Sequence, residues 1–313
     1  TGSQGSFFAL FNLLAGDFND GGRRKIMLPV TPEYVGYADV GLSDDFFLAK
    51  RPAIEHLDEH FFKYHVDFSA LEVGEEVGAI CVSRPTNPTG NVVTDDEVRR
   101  LSQLARSHGV PLILDNAYGT PFPNIIFTDA EPLWDEHIIL CMSLSKLGLP
   151  GTRTGIVVAR PDIIDAVTNL NAIFNLAPSG FGTGLAHDLV ASGEIIEISR
   201  KLVTPFYRRK VDAAVEGLHH ALRGLDYHIH QPEGAIFLWL WFPGLPITSR
   251  ELYDRLRARG VFVLAGEYFF PGLDETADIW PHKYECVRIN YAQPDFTVTR
   301  GIRILGEEVK KLF

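Results

Sequence analysis

Short apolar runs alternating with helix-patterned segments predict an α/β protein: a mainly parallel sheet in a large domain, residues 1–203, followed by a smaller α+β domain, residues 204–313. Three observations carry this. The runs at 77–82, 110–114 and 138–142 are continuous and apolar, as strands covered on both faces must be. Each ends in a polar loop, which in an open parallel sheet places those loops on one edge. From Tyr227 onward the texture changes to shorter strands at 227–230, 235–242, 261–265 and 286–291, accompanied by helices at about 249–259 and 295–312.

The 313 residues are 46% hydrophobic and 22% charged, enough to bury a sizeable core in two units. A formal net charge of −11 argues against a nucleic-acid or anionic-membrane partner, both of which want a basic face, while leaving local anion sites open. Cys81, Cys141 and Cys286 show neither zinc nor disulfide spacing, so buried thiols in a reducing cytoplasm are expected. No apolar run reaches membrane-spanning length. The run at 7–15 lacks the basic lead of a signal peptide and reads as helix. The chain opens at Thr1-Gly2-Ser3-Gln4, inside what reads as a functional turn, so a truncated start is expected.

That turn feeds a helix over 3–14, and Gly, Ser and Gln at a helix N-terminus suit a phosphate, as they equally suit a plain cap. A strand at 25–29 leads to Tyr34 and Tyr37, each fit either to fill core or to lie against a flat ring. His56-Leu57-Asp58-Glu59-His60 matches the H-x-x-E-H zinc pattern, which needs a rigid helix and a third ligand. With Pro52 before it and strand-like alternation over 63–67 after it, a short solvated helix over 54–60 is expected instead. His228 and His230, alternating on a strand, are expected at the surface. The strand at 77–82 ends in Ser83-Arg84-Pro85-Thr86-Asn87-Pro88-Thr89-Gly90, where two prolines fix a loop and Asn87 has an amide to offer. Thr94 and Glu97 form a capping box for a helix running to about residue 108. Asp115, in Asp115-Asn116-Ala117-Tyr118, sits at the tip of an apolar strand, which is costly unless a cation meets it; a structural salt bridge would also satisfy it.

Between apolar runs at 138–142 and 155–159 lies Ser143-Leu144-Ser145-Lys146-Leu147-Gly148-Leu149-Pro150-Gly151-Thr152-Arg153. A lysine so held can form a Schiff base with a carbonyl cofactor, and the neighbouring Ser and Arg suit a phosphate; a loop lysine beside a structural turn is the plainer alternative. A helix over 162–176, a glycine-rich turn over 178–184 without nucleotide meaning, and a long helix over 194–223 bent at Pro205 follow. Arg288 lies mid-strand and is expected to face an anion. Lysine, aspartate, asparagine, tyrosine and a Ser/Arg/helix-terminus anion seat together describe pyridoxal 5′-phosphate (PLP).

In order and spacing these motifs, with Pro150-Gly151-Thr152-Arg153-Thr154-Gly155 and Arg288, resemble the class I/II aminotransferases of PLP fold type I. Glu233-Gly234-Ala235-Ile236-Phe237-Leu238-Trp239-Leu240-Trp241-Phe242 and Phe62-Lys63-Tyr64-His65-Val66-Asp67 resemble the valine–pyruvate subgroup. The resemblance implies a homodimer in which Lys146 forms the Schiff base and shuttles the proton. It implies Asp115 at the ring nitrogen, Asn87 and Tyr118 at the ring oxygen, and Tyr34 stacked on the ring. Gly2, Ser3, Gln4, Ser143, Ser145 and Arg153 would hold the phosphate, and Arg288, with Asn87, the substrate carboxylate. The implied reaction is ping-pong transamination from L-valine to pyruvate, giving 3-methyl-2-oxobutanoate and L-alanine. The same cradle would also serve a β-lyase, an aminotransferase for another amino acid, or a non-catalytic PLP-binding module. The family's further N-terminal segment, which contributes to the small domain, lid and dimer contact, is expected to be absent.

Overall fold

The computed structural model describes residues 2–276 and 279–313. Helix α1 (Gly2–Leu14) is followed by strands β1 (Gly16–Asp17), β2 (Arg23–Leu28) and β3 (Phe47–Ala49), then by a hairpin of β4 (Ala53–His56) and β5 (Phe61–His65). The middle of the chain supplies β6 (Val77–Ser83), α2 (Asp95–Ser107), β7 (Leu112–Asp115), β8 (Ile138–Ser143) and β9 (Gly155–Val158). Helices α3 (Pro161–Asn175), α4 (Phe181–Ala191), α5 (Glu194–Ile198) and α6 (Thr204–Ala221) lead to β10 (His228–His230) and β11 (Phe237–Trp241). The chain ends with α7 (Ser249–Ala258), β12 (Leu264–Ala265), α8 (His282–Glu285), β13 (Cys286–Asn290) and α9 (Asp295–Val309).

These strands form two sheets. The first runs β1-β2-β6-β7-β8-β9, with β3 also on β2; β3, β2, β6, β7 and β8 are mutually parallel, and the flanking β1 and β9 are antiparallel. Period-two alternation divides its side chains between two cores. Ala79, Cys81, Ile113 and Ile139 pack with Phe7, Leu10 and Phe11 of α1. Ile80, Val82, Leu112 and Leu114 pack with Val98, Leu101 and Ala105 of α2. Helix α2 begins as its sequence predicts: Thr94 accepts from the Glu97 amide, and Glu97 answers through the Thr94 amide.

The second sheet runs β12-β13-β11-β10-β5-β4, and a cut at 203/204 does not separate it from the first. Its β4–β5 edge comes from residues 53–65, because β5 pairs in parallel with β10. Such long-range pairing leaves no mark in local sequence texture. One face packs on α6, α7 and α9 through Leu238, Leu240 and Val287, while Phe62, Tyr64 and Trp239 join the core beneath α2.

Other local expectations change for the same kind of reason. Residues 54–60 are not a helix: His56 ends β4, and Asp58 turns the chain by accepting from the amides of His60 and Phe61. No metal-binding cluster forms among the described residues. His230 is fully buried and its Nε2 accepts from the Tyr64 amide, while His228 packs between His56 and Trp241; an interior strand leaves neither at the surface. Part of the glycine-rich 178–184 segment is the first turn of α4, where a Cβ on Gly182 would fall 1.9 Å from Thr154 Oγ1. The long helix is α5, a π-helical turn over Ser199–Val203, and α6; Pro205, which lacks an N–H to continue an α-helical ladder, enters just after the widened turn.

One buried ion pair ties the second sheet to the Asn87 loop. Lys63 Nζ on β5 meets Glu233, Asn91 Oδ1 (2.9 Å) and the Val92 carbonyl (3.1 Å), and Glu233 accepts from the Val92 amide (2.9 Å). Lys63→Met strands a buried carboxylate and is expected to cost about 3–5 kcal/mol in urea unfolding, against about 1 kcal/mol for loss of the Thr94 cap in Thr94→Ala. Equal losses would contradict this assignment of the pin.

Candidate active site

Strands β6, β7 and β8 are in register so that Ser83 lies beside Asp115 and Asp115 beside Cys141. Their carboxyl ends therefore open together, and the loops that leave them bring Asn87, Tyr118 and Lys146 to one cleft of about 520 Å³. From the other side the second sheet contributes Phe237 and Arg288, which lie on adjacent strands. The cleft gathers Ser3, Gln4, Tyr34, Asn87, Asp115, Tyr118, Ser143, Ser145, Lys146, Arg153 and Arg288. Gly2 lies just behind it, against Arg153.

Lys146 stands in a single turn after β8, half-buried, with Nζ 5.2 Å from the centre of the Tyr118 ring. Burial, then the charge of Arg288, pushes its ammonium below the ordinary lysine range; Asp115 opposes that and Arg153 adds to it. Asp115 is 8% exposed and has no salt bridge among the described residues, so the structural ion pair considered for it is not what holds it. Its Oδ2 accepts from Tyr37 Oη at 2.7 Å and its Oδ1 from the Ala117 amide at 3.0 Å. Burial outweighs both bonds and raises its carboxyl to about 6.

Arg288 is the partly buried cation of the opposite wall. Its Nη1 donates to Asn87 Oδ1 at 2.6 Å, and its guanidinium lies over Phe237, 4.1 Å from the ring centre. Its Nε is buried with no hydrogen-bond partner, and burial brings the guanidinium down to about 10. An orphaned buried donor on a cation marks a place for an anion.

A second anion seat lies at the start of α1. Arg153, in the left-handed region at φ 48°, donates to Ser145 Oγ (3.4 Å) and the Pro150 carbonyl (3.3 Å). Gly2 sits at φ 78°, in the left-handed region that favours glycine, and a Cβ there would push the Arg153 guanidinium aside, standing 2.6 Å from its Nη2. Gly155 lets β9 approach the same turn, since its Cβ would lie 2.7 Å from the Ser3 amide nitrogen. Ser143 Oγ accepts from the Ser145 amide at 3.1 Å. The Gln4 side chain is engaged elsewhere, donating to the Gly36 carbonyl at 2.9 Å, which ties α1 to the Tyr34 turn. Hydroxyls, a guanidinium and the free amides of a helix N-terminus fit a phosphate.

Three residues carry more than the sequence suggested. Tyr37 is fully buried under Asp115, Ser83 ends β6 beside it, and Glu33 is a wholly buried carboxyl bonded to Ser83. The paired tyrosines of the 34–37 turn were the available signal for the first; nothing local marks a glutamate as buried.

Residues 54–304 match the family model for class I and II aminotransferases. The valine–pyruvate aminotransferase of Escherichia coli K12 is 52% identical over 310 residues, covering 99% of this chain and 74% of that protein. The crystal structure of valine–pyruvate aminotransferase from Salmonella typhimurium LT2 superposes with a TM-score of 0.92 at 50% identity, covering 99% of this chain and 77% of that one. An α-aminoadipate aminotransferase from Thermus thermophilus, at 22% identity and a TM-score of 0.79, covers 99% of this chain and 76% of its own and shares the fold. With its α/β sheet, its loops on one edge and its lysine-bearing cleft, the chain belongs to the class I and II aminotransferases, of PLP-dependent fold type I.

Proposed function

We propose that this chain transfers the amino group of L-valine to pyruvate with PLP, yielding 3-methyl-2-oxobutanoate and L-alanine, as a cytoplasmic homodimer. One observation carries the substrate class. Of the three cations lining the cleft, Lys146 and Arg153 are assigned to cofactor chemistry and phosphate, leaving Arg288 for a single substrate carboxylate. The surrounding wall is Tyr34, Val35, Pro85, Ile236 and Phe237, which suits an uncharged aliphatic side chain. The 52% identity to a valine–pyruvate aminotransferase supports the choice within that class. In this reading 204–313, joined by the hairpin over 53–65, is the smaller domain, and 1–203 otherwise forms the larger one.

Bound PLP supplies the carbonyl carbon that takes up the amino group and a ring that withdraws electrons. Lys146 Nζ, its proton affinity lowered by burial and two guanidinium groups, would take the proton from the substrate α-carbon and pass it on as the acid of a 1,3-proton shift, so that the α-carbon leaves without it. Asp115 holds the proton of the ring nitrogen, steadied by Tyr37 and the Ala117 amide. Asn87 and Tyr118 would hydrogen-bond the ring oxygen, and Tyr34 would lie over the ring. Ser3, Ser143, Ser145 and Arg153 would hold the phosphate with the α1 amides, Gly2 leaving room for Arg153, and Gln4, its side chain donating to the Gly36 carbonyl, would offer its backbone. Arg288, preset by Asn87 and Phe237, grips the carboxylate as a fork and fixes which α-carbon bond faces Lys146.

The visible absorbance of the PLP-loaded protein is expected to fall on adding L-valine and to return with pyruvate, and Lys146→Ala is expected to abolish both responses. Absorbance that ignores valine and follows another amino acid would refute the substrate. Arg288→Lys, which keeps the charge and loses the fork, is expected to lower kcat/KM for valine and for pyruvate alike by roughly 10- to 100-fold. A loss confined to one substrate would contradict a shared carboxylate site.

A further inference from the structure

We propose that Glu33 is a positioning residue that carries a proton and heads a one-way hydrogen-bond chain, Glu33 to Ser83 to Tyr37 to Asp115, keeping Asp115 the single negative charge of the four. The proposal rests on Asp115 facing the cofactor's ring nitrogen, as read above. The chain has three contacts: Glu33 Oε2 to Ser83 Oγ at 2.6 Å, Ser83 Oγ to Tyr37 Oη at 3.2 Å, and Tyr37 Oη to Asp115 Oδ2 at 2.7 Å.

Counting hydrogens decides where the proton sits. Ser83 and Tyr37 carry one hydroxyl hydrogen each. An ionised Asp115 takes that of Tyr37. Ser83 then has one hydrogen for two contacts. If Glu33 is ionised it claims that hydrogen, and the oxygens of Ser83 and Tyr37 face each other with lone pairs only. If Glu33 is protonated it donates to Ser83, Ser83 donates to Tyr37, and Tyr37 donates to Asp115. Three contacts then have three hydrogens.

The surroundings favour the same state. Glu33 and Tyr37 are fully buried and Ser83 nearly so. The titratable groups bearing on Glu33 are Asp115 on β7, Tyr37 in the following turn and Cys81 on β6, none of them a cation. Burial foremost, with the Asp115 charge adding to it, lifts the Glu33 carboxyl to about 8 against the hydrogen bonds it accepts. The Ser83 amide at 2.7 Å and the Tyr34 amide at 3.1 Å fix the carboxyl group, and the Glu33 amide donates to the Phe269 carbonyl at 2.8 Å. Glu33 therefore also anchors the turn that presents Tyr34. A second negative charge here would turn the Ser83 hydrogen away from Tyr37 and weaken the bond that steadies Asp115.

Infrared difference spectra of wild type against Glu33→Gln at pH 6.5, with and without PLP, test the proton directly. A protonated-carboxyl band present in wild type and lost in the variant is expected; absence of such a band overturns the proposal. If Glu33→Gln does not fold, Ser83→Ala serves: removing the acceptor of that proton is expected to move the band, and an unmoved band overturns the chain. Linkage gives a second readout. The folded carboxyl titrates near 8 and the unfolded one near 4.5, so this group's contribution to stability falls as pH rises between those values. The stability of Glu33→Gln relative to wild type is therefore expected to improve from pH 5 to pH 8, and a constant gap overturns the proposal. In the holoenzyme, Tyr37→Phe is expected to shift the pH midpoint of the cofactor's visible absorption. A band at Glu33 with an unmoved midpoint overturns its action on Asp115, while absence of any PLP absorption from wild type refutes the underlying site reading instead.

Discussion

The cleft holds three cationic side chains, Lys146, Arg153 and Arg288, against one carboxylate, Asp115. Asp115 and Arg288 are largely buried and Lys146 about half so, and each is perturbed by that burial. Like charges held together at low dielectric are unfavourable, and the imbalance is relieved when anions enter. A phosphate at Arg153 and a carboxylate at Arg288 would do that. The charge that makes the site costly to fold is thus the charge that selects its ligands. It also explains why Arg288 is preset by neutral partners, an amide and two aromatic rings, and not by an acid that would compete with substrate.

The rest of the fold maintains that arrangement. Parallel register brings Ser83, Asp115 and Ser143 to one edge, and α1 approaches closely enough to present its amides because Gly2 and Gly155 carry no Cβ. The Lys63–Glu233 pair is worth little as raw stability, since burying two charges offsets most of their attraction. Its value is positional: it fixes the segment at 91–92, just after the Asn87 loop, to the sheet that carries Arg288. Both walls of the cleft are thereby referred to one another.

Much of this was legible in the sequence because it is local. Apolar runs ending in Asp115 and Ser143, the Thr94–Glu97 box and the proline-fixed Asn87 loop each announce themselves within ten residues. What was not legible depends on partners far along the chain. Residues 54–60 read as a short helix until β10 supplies a neighbour for β5 and the segment pairs as a hairpin. His230 looks exposed until the same pairing buries it. Gly182 reads as part of a plain turn until Thr154 occupies the space a side chain would need. Glu33 shows no chemistry in its own segment, and Tyr37 shows only an aromatic ring; their roles come from Ser83 and Asp115, about 50 and 80 positions away.

Isotope transfer tests amino-group transfer most directly. With the PLP-loaded protein, L-valine labelled with ¹⁵N and unlabelled pyruvate, the label is expected in L-alanine, in equal amount to the 3-methyl-2-oxobutanoate formed. Label released as ammonia, with no labelled alanine, would contradict transamination and identify the cleft as that of a different reaction on the same cofactor.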